Sequence, residues 1–154
     1  MQRRSLFAAI TGFALLPFAG KVPAAAATAA SSAEHKVAFH IDVNDPAVMN
    51  MVLNNVSNLA SYYAEKGGTV AVEVVAYGPG LHMLRDDTSP VKDRIQAMAA
   101  NMPTLAFSAC GNTRAGMAKN ESKVIPLLAQ AKEVPAGVVR LVELQEAGWS
   151  YIRP

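Results

Sequence analysis

The sequence predicts a three-layer α/β/α protein in which helices cover both faces of a mainly parallel sheet of five strands. Two observations support this fold class. Short segments rich in β-branched residues alternate with amphipathic helical segments along the chain, and parallel strands require such crossovers between them. In addition, residues 69–76 are almost entirely apolar around one acidic residue, Glu73. This pattern is typical of a strand that is buried on both faces.

The first half of the body contains a strand and one long helix before the strand 69–76. Residues 36–41 are predicted as the first strand, because Val, Phe and Ile recur there before a turn-forming stretch. Asp45 is a favourable N-cap, and Pro46 suits the first helical position. Apolar residues then recur at helical spacing until Gly67, which begins a pair of glycines. These signals bound a single long amphipathic helix.

The second half of the body is predicted to contain shorter elements. They are a helical piece at 81–85, a helix over 90–101, a third strand at 104–108, a helical turn around Met117, a weak strand at 131–134, a helix over 138–147 and a final strand at 149–152. Ser89 is the expected N-cap of the second clear helix, and Gly148 ends the last one. Strands and helices therefore alternate to the end of the chain.

Residues 1–30 have the three-part layout of an export signal. Arg3 and Arg4 precede an apolar stretch over residues 6–20, and an alanine-rich run over 23–30 provides small residues for cleavage. The apolar stretch is shorter than the roughly 20 residues that a transmembrane helix needs, so we expect no permanent membrane anchor. The arginine pair resembles a twin-arginine signal, while Sec export stays open. We therefore expect the protein to work in the periplasm.

The remaining residues, 31–154, have the composition of a single folded domain. Without the three cations of the export segment they include eleven basic and twelve acidic residues, a formal net charge of −1. A near-neutral body without a basic run does not favour binding to nucleic acid. Cys110 is the only cysteine, which excludes an intramolecular disulfide framework.

The loops that follow the strands are the predicted location of the functional site. In open parallel sheets, ligands bind outside the carboxyl ends of the strands, where these loops meet. The loops expected at this edge are 42–45, 77–80, 108–112 and 135–137. We expect Asn44, Tyr77, Gly78 and Cys110 to line a pocket there.

Cys110 is the candidate for nucleophilic chemistry. If it begins the turn before a helix, the unpaired N–H groups and the dipole of that helix lower the pKa of the thiol. Arg114, one turn later, would add positive charge, and Gly111 would keep the approach to the sulfur open. The alternative is that Cys110 is a small side chain of the core, since cysteine is among the most buried residue types.

The other candidate sites have simpler structural explanations. No two of His35, His40 and His82 fall at a spacing that places them on one face of an element, so no metal site is predicted. His40 is expected to pack under a helix with one ring nitrogen hydrogen-bonded. The glycine-rich stretch 78–80 lacks the Lys-Ser or Lys-Thr pair of a nucleotide loop and is predicted as a tight turn. No cofactor is predicted.

Three stretches, taken in order, identify a family that the sequence resembles. They are YGPGL at 77–81, ACGNT at 109–113 and residues 137–154, which close on ELQEAGWSYIRP. With them, the body from about residue 36 to residue 154 resembles the DsrE/DsrF-like family. The resemblance implies a compact α/β/α domain, flavodoxin-like in outline, that commonly forms trimers or hexamers. Some members relay sulfane sulfur on a cysteine after the third strand, and Cys110 matches that position.

The resemblance favours an exported sulfur carrier or sulfurtransferase component that binds or relays sulfane sulfur as a persulfide on Cys110. Its partners would be a sulfur donor or acceptor protein and further copies of the chain. Arg114 and the backbone of Gly111, Asn112 and Thr113 would stabilise the anionic sulfur. The alternative function is a non-catalytic oligomeric binding or accessory module that uses the same pocket. A structural subunit of a larger complex is a third interpretation.

Overall fold

Five parallel strands form one sheet in the computed structural model, which describes residues 33–154. The strands are β1 (His35–Ile41), β2 (Val70–Ala76), β3 (Leu105–Cys110), β4 (Ala131–Val134) and β5 (Ser150–Ile152). The helices are α1 (Pro46–Glu65), α2 (Lys92–Asn101), α3 (Gly111–Glu121) and α4 (Gly137–Glu146), and a 3-10 helix spans Gly78–Leu84. The strand order is β4-β3-β2-β1-β5, and every pairing is parallel. The predicted fold class is confirmed, whereas the predicted export segment at 1–30 lies outside the described residues.

Three helices lie on one face of the sheet and a single helix lies on the other. The chain steps from β1 to β4 in one direction and then returns past β1 to β5. Right-handed crossovers therefore put α1, α2 and α3 on one side and α4 on the opposite side. The larger core lies under α1 and α2, where Met49 packs with Phe39 and Phe107. The smaller core lies under α4, where Leu141 packs with Val75.

The boundaries of α1 follow from local sequence and agree with the prediction. The Asp45 carboxylate accepts a hydrogen bond from the backbone N–H of Ala47 at 2.7 Å, and Pro46 lies in the first turn, where its missing N–H is not needed. The chain leaves the helix through Gly67, whose φ of +74° favours glycine. Neither α1 nor any other helix of residues 33–154 is long and apolar enough to cross a membrane.

The acidic residue inside β2 forms a buried ion pair. The Glu73 side chain is only 6% exposed and accepts hydrogen bonds from Nε and Nη2 of Arg140 at 2.7 and 2.8 Å. It also accepts a hydrogen bond from the hydroxyl of Ser108 at 2.6 Å. A buried carboxylate without partners would be strongly disfavoured. These bonds explain how the strand accommodates Glu73, and they attach α4 to the centre of the sheet.

Four elements of the second half differ from the prediction. The helical piece predicted at 81–85 is a 3-10 helix that begins three residues earlier, at Gly78, so the stretch 78–80 forms its first turn and not a separate tight turn. The second helix begins two residues later, at Lys92, because the Ser89 hydroxyl accepts a hydrogen bond from the Val91 N–H at 3.4 Å and stabilises a turn before the helix. The third strand extends two residues further, to Cys110, because its end pairs with β4. The turn expected around Met117 belongs to the longer helix α3. No residue of α3 is buried, so the helix lacks the apolar periodicity by which helices are recognised.

A buried arginine joins the segment after the 3-10 helix to the end of α3. The Arg85 side chain is 1% exposed and donates hydrogen bonds to Asp87 at 2.9 and 2.8 Å and to Glu121 at 2.5 and 2.9 Å. Lys123 contacts the same two carboxylates. The Arg85 guanidinium holds the pKa of Asp87 well below its usual range and lowers the pKa of Glu121 to about 2. The network is therefore ionised at neutral pH.

We expect Arg85→Met to lower the free energy of unfolding by about 2–3 kcal/mol, because two carboxylates lose their shared cation. The loss is moderate for a buried pair, since Asp87 and Glu121 are partly exposed and regain water. Urea unfolding at neutral pH measures the change. The matched control, Lys123→Met, removes an exposed cation from the same network and should cost much less. Equal losses for the two variants would contradict the role assigned to Arg85.

The low pKa of Glu121 predicts how this network responds to acid. A carboxylate whose pKa is lower in the folded state stabilises the fold when the pH is above its pKa in the unfolded chain, which is 4.5 for Glu121. This contribution is lost as the pH falls toward the folded-state pKa of about 2. The stability difference between the parent protein and Glu121→Gln should therefore be constant above about pH 5 and shrink below pH 4.5. Urea unfolding at a series of pH values tests this. A difference that persists unchanged at about pH 3 would contradict the prediction.

Candidate functional site

Polar and aromatic side chains meet at the carboxyl ends of four strands, on the face that α4 covers. Val75 packs under α4, and because strand side chains alternate between faces, Tyr77 just after β2 lies on the same side. Tyr77 indeed packs against that smaller core. His40 of β1 stacks on Tyr77, and Tyr151 of β5 contacts His40. Cys110, the last residue of β3, completes this group, which we call the rim site.

Two helices begin beside the Cys110 thiol. Cys110 is the N-cap of α3, and its Sγ accepts a hydrogen bond from the N–H of Thr113 at 3.4 Å. Burial by itself would raise the pKa of the thiol. Hydrogen bonds from the Thr113 hydroxyl and from the backbone N–H groups of Gly137, Thr113 and Asn112 oppose this and lower the pKa below that of a free cysteine. Since Gly137 is the first residue of α4, N–H groups at the start of both α3 and α4 stabilise the thiolate.

Two glycines, Gly137 and Gly78, allow the backbone to lie close to the side chains of the rim site. A Cβ atom on Gly137 would lie 2.8 Å from Cδ1 of Tyr77 and 3.3 Å from Cβ of Cys110, so a larger residue would push these side chains apart. Gly78 has a φ of +51°, in the left-handed region that favours glycine. Its N–H donates a hydrogen bond to the Thr113 hydroxyl oxygen at 3.0 Å. This leaves the hydroxyl proton of Thr113 for the thiol.

His40 is nearly enclosed, with 5% of its surface exposed. Its ring stacks on Tyr77 with 4.5 Å between the centroids, and its Nδ1 lies 2.9 Å from the hydroxyl of Tyr151. Its Nε2 has no hydrogen-bond partner among the described residues and lies 3.9 Å from the Asp42 carboxylate. Burial lowers the pKa of His40, the Asp42 charge opposes this shift, and the Arg153 charge adds to it. The imidazole is therefore neutral at neutral pH.

The Tyr77 hydroxyl also remains protonated at neutral pH. Burial raises its pKa, and the charges of Asp42, Tyr151 and Cys110 raise it further, while Arg153 acts in the opposite sense. Each of these groups therefore lies within electrostatic reach of the Tyr77 ring. The Tyr77 ring stacks on the His40 imidazole and carries a neutral hydroxyl.

The predicted site residues are only partly brought together. Tyr77, Gly78, Asn112 and Thr113 surround Cys110 as described above. Asn44 lies exposed in the loop between β1 and α1, and Asp42 of the same loop contributes to the rim site in its place. The two remaining predicted residues, Arg114 and Gly111, face elsewhere.

Arg114 does not supply free positive charge to the thiol. Its Nε donates a hydrogen bond to the carbonyl of Ile125 at 2.8 Å, and its Nη1 pairs with Glu133 at 2.5 Å. Gly111 was expected to keep the approach to the sulfur open, but its α-carbon packs against the same Glu133, whose Oε1 would lie 3.0 Å from an added Cβ. Arg114 therefore attaches α3 to Ile125 and Glu133, and Gly111 lets α3 pack closely against Glu133.

Sequence reasoning assigned no part of the site to His40 and Tyr151, which belong to the rim site, or to the ion pair of Asp42 and Arg153 beside it. His40 and Tyr151 are 111 residues apart, as are Asp42 and Arg153. Local spacing carries no information about such pairs. The one available signal was the position of His40 in an otherwise apolar strand. Within residues 33–154, no group of three or more His, Cys, Asp or Glu side chains is arranged to hold a metal ion.

Replacing Thr113 with valine should raise the pKa of Cys110, because the variant lacks the hydroxyl that favours the thiolate. The pH dependence of alkylation by iodoacetamide reports this pKa. Ser57→Ala removes a hydroxyl that bonds within α1 and should leave the alkylation profile unchanged. An identical profile for Thr113→Val and the parent protein would refute the contribution of the hydroxyl.

The comparisons with known proteins give a structural relative and no function. No protein-family model matches the chain, and no curated protein matches it. The chain is similar to a solved structure from Methanobacterium thermoautotrophicum, that of MTH1491, described as a protein of unknown function. The TM-score is 0.67 at 32% sequence identity, and the likeness covers 79% of this chain and 100% of the other. Because 32% identity extends over the whole of that protein, the chain belongs to the same family as MTH1491.

Proposed function

We propose that the protein is an exported DsrE/DsrF-like sulfur carrier that binds or relays sulfane sulfur as a persulfide on Cys110. The observation that carries the proposal is the convergence of hydrogen-bond donors on the thiol. The N–H groups of Asn112, Thr113 and Gly137 and the Thr113 hydroxyl lower its pKa despite its burial. A thiolate is the reactive form of cysteine, and the same donors suit the anionic outer sulfur of a persulfide.

The chemistry requires only one cysteine. The thiolate attacks the outer sulfur of a donor and holds it as a persulfide, which an acceptor thiol later attacks. The backbone and Thr113, rather than Arg114, are the groups that favour the anionic states of this cycle. The exposed fraction of Cys110 is 5%, and this burial limits the mixed disulfides that an exposed thiol forms in an oxidising compartment. Export is thereby compatible with a working thiol.

A homo-oligomer, either a trimer or a hexamer, is the assembly that we propose. Three valines of α4 are half exposed, namely Val138, Val139 and Val142. Beside them, α4 leaves an open groove of about 610 Å³ over β3 and β4. Exposed apolar surface next to a bare part of a sheet favours association with another protein surface.

A non-catalytic binding or accessory module is the second candidate function. The burial of Cys110 favours it, because a packed thiol is unreactive toward bulky reagents. In this function the rim site would hold a small ligand between Tyr77 and Cys110 without turning it over. The two candidates differ in whether Cys110 forms a covalent bond to sulfur.

The intact mass of the purified, reduced protein before and after treatment with polysulfide distinguishes them. We expect the parent protein to gain the mass of roughly one sulfur atom and to lose it on treatment with dithiothreitol. Cys110→Ser should show no gain.

Thr113→Val provides a matched second variant that keeps the thiol. It should form the persulfide more slowly, because a smaller fraction of Cys110 is ionised. If the demonstrably reduced parent protein gains no mass, the sulfur-carrier function is wrong and the binding module becomes the better explanation.

A further inference from the structure

The groove over β3 and β4, beside α4, fits a second copy of this chain. We propose that two copies pair about a twofold axis, so that the outer face of each α4 lies in the groove of the other copy. The inference rests on the homo-oligomer proposed above, and it adds the surfaces that meet and the symmetry that relates them. The bare part of the sheet, the valines of α4 and the charges around the groove each support it.

The first argument concerns the face of the sheet on which α4 lies. An α-helix is about 10 Å wide and neighbouring strands lie about 4.8 Å apart, so one helix covers about two strands. α4 packs on Ala38 of β1 and Val75 of β2, and the groove beside it runs over β3 and β4. All-parallel sheets occur almost only with both faces covered. The groove is therefore where a further helix would complete the covering of the sheet.

The strand register shows which side chains form the floor of the groove. Val75 lies under α4 and pairs with Ser108, which in turn pairs with Lys132. Paired residues of neighbouring strands share a face of the sheet, and so do residues two apart in one strand. Ala106 and Lys132 therefore stand on the face of α4, and both are exposed. Because Ala106 is small, the floor leaves room for side chains from another helix.

The second argument concerns the side of α4 that faces away from its own sheet. Leu141 and Leu144 pack on the sheet, and helical periodicity places Val139 and Val142 on the outer side. These two valines are 52% and 48% exposed. Valine is a weaker helix former than the Lys, Glu or Gln usual on a solvated face, so local structure does not explain the pair. Burial against a second protein surface does.

The groove and the outer face of α4 adjoin in one chain, since Val139 also lines the groove. Two complementary surfaces that adjoin in this way are self-complementary under a twofold axis. The two α4 helices then lie side by side between the two sheets, and the outer valines of each contact β3 and β4 of the other copy. Because the contact forms twice, one association buries both grooves and both apolar helix faces.

The charges around the groove favour the same occupant. Three carboxylates that line it, those of Glu73, Glu133 and Glu143, are paired with arginines of the same chain. Lys132 leaves an exposed cation on the floor. Glu146 is exposed, and helical periodicity puts it on the same side of α4 as the two outer valines. A second α4 therefore brings a carboxylate to a groove that carries a cation, which is the complementarity that fixes the register of an interface.

The mass of the purified protein in solution, measured by light scattering, tests the symmetry. We expect an even number of copies, because a twofold contact does not occur in an isolated trimer. Val139→Asp places a charge in the contact, and Ala106→Arg fills the floor of the groove, so each should halve the mass. Both residues are exposed in the single chain, and circular dichroism checks that the variants fold. The matched control, Val124→Asp, alters a valine that is 80% exposed and outside the groove, and it should leave the mass unchanged.

Cross-linking tests which surfaces meet. Chains that carry Ala106→Cys are co-expressed with chains that carry Val139→Cys, both with Cys110→Ser to remove the one native thiol. Treatment with a short bis-maleimide should give a covalent dimer with one chain of each kind, identified by peptide mass spectrometry. Val124→Cys in place of Val139→Cys should give little of this product.

The possible failures are distinguishable. A protein that is monomeric at every concentration contradicts both the twofold contact and the proposed homo-oligomer. A trimer, or an assembly whose mass neither Val139→Asp nor Ala106→Arg reduces, overturns the twofold contact and leaves the homo-oligomer standing. A mixed cross-link that is absent, or no stronger than that of Val124→Cys, shows that the groove has a different occupant and also overturns the proposal. The persulfide function is measured separately, by the mass gain on Cys110.

Discussion

Parallel hydrogen bonding of β2 to β1 on one side and to β3 on the other determines where the functional groups of this protein meet. In this register Ile41, Ala76 and Ala109 stand side by side, so three connections leave the sheet at the same level. Cys110 comes directly after one of these residues and Tyr77 directly after another. The rim site therefore depends on backbone pairing, and a shift of one residue in any of the three strands would turn its side chains to the opposite face.

The position of α4 depends on a charge in the middle of the sheet. Glu73 would be unfavourable in a doubly covered strand on its own, and it is tolerated because Arg140 and Ser108 satisfy its oxygens. The same pair holds α4 over the sheet, with its first residue, Gly137, beside Cys110. A buried ion pair near the middle of β2 thus helps to place the N-terminus of α4 beside the Cys110 thiol at the end of β3.

The electrostatics of the rim site are those of dipoles rather than of free charges. The carboxylates and guanidinium groups nearby neutralise each other in pairs, as with Asp42 and Arg153, while N–H and O–H groups lower the pKa of Cys110. Such dipoles favour one diffuse negative charge at Cys110, whose side chain is 5% exposed.

The sequence by itself determined the fold class, the long first helix and the position of Cys110 between a strand and a helix, because each has a local cause. Alternating strand and helix patterns, the Asp45 and Pro46 signals and the strand-to-helix turn after β3 can all be read within a few residues. The sequence predicted only a helical turn around Met117 where helix α3 lies, since no residue of that helix is fully buried. It also assigned to Arg114 a charge that Glu133 neutralises. Only the tertiary structure decided these points, together with the meeting of His40 and Tyr151 over 111 residues. The physical reason is that ion pairs and sheet neighbours are contacts between distant segments, on which local propensity and spacing have no bearing.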